Sequence, residues 1–110
     1  MQLKIVATPH GADLVIALDG ALSAGDAIAA QVELLRLAAS CSGRIVLDCT
    51  RLSYVASIGL RTLLALQRNT AERPRGLVLA AVGEPVHHIL ELAGLHSRFA
   101  ITNSIAEALS

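Results

Sequence analysis

Two short runs constrain this chain more than anything else in it. RIVLDC (residues 44–49) and LVLAAV (77–82) are almost wholly aliphatic, too short for a buried helix, and each is followed by a helical pattern. A strand with one face in water alternates apolar and polar residues; a strand without alternation is covered on both faces, the usual condition of a parallel sheet packed with helices. At the N-terminus, LKIVATP and DLVIALDG are β-branched runs separated by HGA, a glycine-containing turn, and predict a hairpin. Helical spacing predicts a helix over about 23–40, where Ile28, Val32, Leu35 and Ala39 recur. A second is expected over about 57–72, with Leu60, Leu63, Leu64 and Ala71 on one side and Arg61, Ala65, Arg68 and Glu72 on another. Pro74 and Gly76 end it. EPVHHILELAG reads as a short helix with Pro85 near its start and Gly94 at its end, RFAIT as a last strand, and SIAEALS as a helix capped by Asn103 or Ser104. The predicted order is β-β-α-β-α-β-α-β-α: an α/β fold with a small, mixed, mostly parallel sheet, an antiparallel N-terminal hairpin at its edge, and helices packed on it.

A chain of 110 residues has the size of one domain, so residues 1–110 are expected to share a single core. That core must be aliphatic, because Phe99 and Tyr54 are the only aromatics. Their scarcity and a formal net charge of zero argue against direct nucleic-acid binding, which uses stacking rings or a strongly basic face. Charge is uneven all the same: Arg61, Arg68, Arg73 and Arg75 fall close together and could form a solvated helix face or a modest basic rim for an acidic partner. Cys41 and Cys49 flank SGRIVLD and read as reduced thiols. The start MQLKIVATPH lacks signal-peptide character, and no apolar run approaches the roughly 20 residues that span a bilayer. A cytoplasmic location is the expectation.

The chemistry concentrates in LSYVASIGLRTLL (52–64), where a strand end passes through small residues into a helix with one serine at the junction. In α/β sheets, functional groups gather at the carboxyl ends of strands. Ser57 has three readings. As a helix cap it would accept from the N–H of Gly59 or Leu60, a contribution of about 1 kcal/mol. As a nucleophile it would need the G-x-S-x-G elbow and a histidine base, but the five residues here are VASIG, and His87, His88 and His96 all lie in or just after one short helix. As a phosphoacceptor it would receive roughly −1.5 to −2 charges at a helix start, which favours an anion. No metal site is expected, since adjacent His87 and His88 point about 100° apart on a helix. No glycine-rich phosphate-binding motif occurs and no cofactor is expected.

IVLDCTRLSYVASIGLRTLL, followed by GLVLAAVGEPVHHILELAGLHSRFAITNSIAEAL, resembles a STAS domain, the fold shared by bacterial anti-sigma factor antagonists and sulfate-transporter tails. The likeness covers essentially the whole chain: the hairpin, Asp19-Gly20 before the first helix, the strand ending in Asp48, the S-x-G-L of Ser57 to Leu60, and the late LELAGL. It implies a non-enzymatic, partner-switching protein that binds an anti-sigma factor serine kinase. The kinase phosphorylates the serine at the start of the second helix, which maps to Ser57, and a phosphatase reverses the mark. Ala56, Ile58, Arg61 and Thr62 would lie at the partner contact. Apart from the resemblance, the sequence leaves open a homodimer through exposed leucines. The family motif usually reads D-S-[STA]-G, so Ala56 replaces an aspartate and Ile58 a small residue. The alternative is a STAS accessory module of a larger lipid-transport or stress-sensing assembly, with Ser57 only a cap; the Ala56 departure favours it.

Overall fold

The computed structural model describes residues 1–110. Strands β1 (Lys4–His10) and β2 (Asp13–Leu22) form the antiparallel hairpin, turning at Gly11, whose φ of 60° suits glycine. Parallel pairing then joins β2 to β3 (Ile45–Val55), β3 to β4 (Leu77–Ala80) and β4 to β5 (Ala100–Thr102), giving the sheet order β1-β2-β3-β4-β5. The connections are α1 (Ala27–Ala39), α2 (Ser57–Asn69) and α3 (Glu84–Leu92), and α4 (Ile105–Leu109) follows the last strand. This is the expected mixed, mostly parallel sheet and element order, but β3 does not end at Asp48: it runs on to Val55, because residues 51–55 continue the pairing with the second half of β2.

The two sheet faces are covered unequally. Leu14, Ile16 and Leu18 of β2, Ile45 and Leu47 of β3, and Leu77 and Leu79 of β4 point to a large core closed by α1, α2 and α3. Val46, Val78 and Ala80 point the other way, under Ala108 of α4. Both β4 and the first half of β3 are therefore buried on two sides, which is why neither alternates in sequence. Arg44 fastens α4 to this frame, donating to the carbonyl of Ala108 while its guanidinium pairs with Asp13 at 3.4 Å.

Several boundaries and one face differ from expectation. Helix α1 begins at Ala27 rather than near residue 23, after a turn, and the Asp26 carboxylate accepts from the backbone N–H of Leu3 instead of capping the helix. Its buried stripe is Ala27, Ala30, Leu34 and Ala38; the recurring Ile28 and Val32 face outward. The stripe turned inward is the one richer in alanine, and the bulkier Ile28 and Val32 stay in solvent. Helix α2 ends at Asn69, where the buried Thr70 hydroxyl donates to the carbonyl of Leu66. Strand β4 stops at Ala80 because Ala81 adopts a left-handed φ of 57°. Ser104, not Asn103, caps α4, its hydroxyl accepting from the N–H of Glu107 at 3.1 Å.

Both cysteines are free thiols in unlike settings. Burial, with the neighbouring Asp48 carboxylate adding to it, pushes the Cys49 thiol up to about 12. The folded state thus holds the neutral thiol; the stabilisation is complete below the ordinary range near 9.0 and is lost as pH rises toward about 12. Cys41 is half-buried, with an Arg73 nitrogen 3.6 Å from its sulfur. In mildly alkaline buffer, iodoacetamide is expected to alkylate Cys41 alone in the folded chain and both cysteines after unfolding, as read by intact mass. Equal native labelling of Cys49 would contradict this burial.

Candidate functional site

The ends of β2 and β3 set the position of the junction. Leu22 and Val55 are register partners, and the Ala56 N–H donates to the Leu22 carbonyl at 2.9 Å, so the chain leaves the sheet at a fixed point. Ala56 has extended dihedrals (φ −74°, ψ 167°) and occupies the N-cap position, while its carbonyl accepts the Leu60 N–H at 2.9 Å. Ser57 is therefore the first helical residue. That corrects its expected role as the cap: a capping side chain must swing back from an extended residue over the first turn, and that residue here is Ala56, which has no polar atom to offer. No side chain caps α2 and its first turn contains no acid. The Ser57 side chain is exposed and makes no hydrogen bond within the protein.

Gly59 explains how this helix start lies so close to the sheet. A β-carbon there would meet the Leu22 side chain and carbonyl oxygen at 2.9 Å and Val55 at 3.0 Å. Thr62 lies one turn after Ile58, and its hydroxyl, 3.2 Å from the Ala27 carbonyl and 3.3 Å from that of Ile58, shares its proton across the α1–α2 seam. At 1% exposure Thr62 cannot form part of a contact surface, and its expected place there is corrected. Thr62 instead fixes the two helices against each other. The structure does bring Ala56 and Ile58, both half-buried, and Arg61, exposed, around Ser57.

The basic span divides by role. Arg73 donates to the carbonyls of Ala38 and Gly43, and Arg75 to that of Ser110, so both tie loops together. Arg61 and Arg68 are exposed and belong to none of the chain's three ion pairs, Arg36–Glu33, Arg44–Asp13 and His87–Glu91. His87 turns its Nδ1 to Glu91 at 2.8 Å, and no imidazole is hydrogen-bonded to Ser57. No three His, Cys, Asp or Glu side chains are grouped to hold a metal ion. The largest concavity, of about 510 Å³, is lined by Pro9, Asp13 and Cys41 near the starts of β2 and β3, at the far end of the strands from Ser57. Ser57 lines none of the four concavities. The surface around it suits a macromolecular partner better than a small ligand.

The chain as a whole is similar to known proteins. The STAS domain family profile matches residues 4–108. BtrV of Bordetella bronchiseptica, named as a candidate anti-sigma factor antagonist, is 31% identical over 91 residues, covering 83% of this chain and 78% of BtrV. Among solved structures, an anti-sigma factor antagonist from Mycobacterium paratuberculosis superposes with a TM-score of 0.82 at 20% identity, covering 98% of this chain and 92% of the other. The anti-sigma factor antagonist SpoIIAA in its unphosphorylated form gives 0.78 at 17% identity, with 96% and 93% covered. No helix of the chain is long and apolar enough to cross a membrane. A profile match over nearly the whole length, together with a relative above 30% identity, establishes that this chain belongs to the STAS domain family.

Proposed function

We propose that this chain is an anti-sigma factor antagonist that acts by binding rather than catalysis, engages an anti-sigma factor serine kinase through the start of α2, and is released when Ser57 is phosphorylated. The observation that carries the reading is the state of that helix start: an exposed, unbonded hydroxyl on the first residue of a helix with no cap and no acid in its first turn. The first N–H groups of a helix have no partner within it, and the dipole adds positive potential, so a phosphate on Ser57 would meet donors instead of repulsion. The names of BtrV and the two superposed antagonists agree with the role. A phosphatase would restore the binding form.

Ala56 at first favoured a fixed accessory module, since the family's aspartate is missing. Its position reverses that inference. An aspartate at this N-cap would occupy the first-turn N–H groups and place a carboxylate beside the acceptor; alanine leaves both the donors and the field open to a phosphate. The test is direct: with its cognate anti-sigma kinase and ATP, the full chain should gain one phosphate, mapped to Ser57, and the Ser57→Ala variant none. A phosphate gained by Ser57→Ala would place the switch elsewhere.

A further inference from the structure

The outer flank of α1 carries an apolar face that the fold does not use. Ile28 and Val32 are 72% and 66% exposed, and the half-buried Leu35 continues them at i, i+4, i+7 spacing. Single exposed apolar residues are ordinary on a protein surface; a row at helical spacing forms a continuous stripe. The stripe does not end at α1. Because the Thr62 hydroxyl reaches the carbonyls of both Ala27 and Ile58, the first turns of α1 and α2 stand side by side. Half-buried Ile58 and Ala65 extend the apolar surface onto α2, and Arg61 and Arg68, each three residues further on, edge it. Neither arginine is in an ion pair, and Glu33, the one acid within α1, is held by Arg36.

We propose that the joint α1–α2 face is a docking surface for an amphipathic helix of a partner protein whose apolar stripe is flanked by carboxylates. Apolar anchors at i, i+4 and i+7 are how a helix seats itself against such a face, and the two free guanidiniums supply the complement to its acidic border. Charge also decides against a second copy of this chain as the occupant. A two-fold contact would place the patch on itself, setting Arg61 and Arg68 of both copies together with no carboxylate between them. The proposal extends the contact from the start of α2 onto α1 and states the chemistry of its occupant, and its apolar part, Ile28, Val32 and Leu35, does not depend on the Ser57 switch.

The experiment places a benzophenone photo-crosslinking residue at Val32 in the full chain, expressed in its native cells, and identifies the adduct by peptide sequencing. The expected product is a segment of a second protein with apolar residues at i, i+4 and i+7 and aspartate or glutamate beside them. Adding Arg61→Glu and Arg68→Glu together should reduce it at least tenfold while leaving the unfolding midpoint unchanged, because both side chains are exposed. An adduct with another copy of this chain, an adduct with a segment lacking acids, an adduct indifferent to the charge reversal, or no adduct would each overturn the proposal. Ser57→Ala in the same background separates the two claims: loss of phosphate with the adduct retained sinks neither, whereas phosphate found on that variant sinks only the switch.

Discussion

Ser57→Asp is expected to weaken binding to the anti-sigma partner on the order of 100-fold, two steps of ~1.4 kcal/mol, while Ser57→Ala binds as the parent chain does. The asymmetry comes from what each state leaves beside the helix start. In the free domain an anion at Ser57 faces water, unbonded first-turn N–H groups and Arg61 four residues on, an arrangement in which an acid preceding a base on one helix face is favourable by about 0.2–0.5 kcal/mol. Under a docked partner the same charge is stripped of water, and an unpaired buried anion costs several kcal/mol even after relaxation. Phosphate, with roughly twice the charge of aspartate, should act more strongly. It would also draw Arg61 toward Ser57 and away from a partner's carboxylates, so the mark both adds a repulsive charge and occupies an attractive one. Isothermal titration of the three proteins against the purified partner decides the matter. Equal affinity of Ser57→Asp and Ser57→Ala would remove the electrostatic switch, and a melting temperature lowered only in Ser57→Asp would show that the domain itself fails to accept the charge.

The fold was legible because its strongest signals were local and redundant. RIVLDC and LVLAAV lack alternation, so they had to be strands of a doubly covered sheet, and the intervening helices followed from 3.6-residue spacing. What stayed hidden were choices made by packing. In α1 two stripes compete, and Ile28, Val32, Leu35 and Ala39 is the more apolar; the core takes Ala27, Ala30, Leu34 and Ala38, the stripe of smaller side chains. Thr62 lay on the side of α2 opposite the leucines and so read as surface, yet the neighbouring α1 covers it and uses its hydroxyl across the seam. The cap failed for a similar reason. Sequence can place a serine near a helix start, but whether it is the last extended residue or the first helical one depends on where β3 releases the chain, and the Ala56–Leu22 hydrogen bond sets that point. The neighbourhood of Ser57, with Ile58 and Arg61 beside it, was readable because it lies within one turn of one helix.

Gly59→Ala is expected to lower the stability of the folded chain by about 2 kcal/mol, in the range of other overpacking substitutions. On an exposed helix the same change would stabilise by about 1 kcal/mol through helix propensity, so the sign depends on the space available. The added methyl would stand 2.9 Å from the Leu22 carbonyl oxygen and 2.9 Å from its Cγ. The side chain can give way, but that oxygen is held by the Ala56 N–H at 2.9 Å, just past the Leu22–Val55 pair that ends the β2–β3 ladder. Relief requires either breaking that hydrogen bond or tilting the first turn of α2 off the sheet, and the second movement carries Ser57 and Ile58 with it. Gly25→Ala is the control, since its site is open, with nothing within 4 Å and no left-handed dihedral to strain; it should be neutral or slightly stabilising. Urea unfolding of both variants measures the difference, and phosphorylation of Gly59→Ala under folding conditions measures the tilt. If Gly59→Ala matched Gly25→Ala in stability, the helix start would be free to move on the sheet, and the fixed presentation of Ser57 on which the switch depends would have to come from the partner instead.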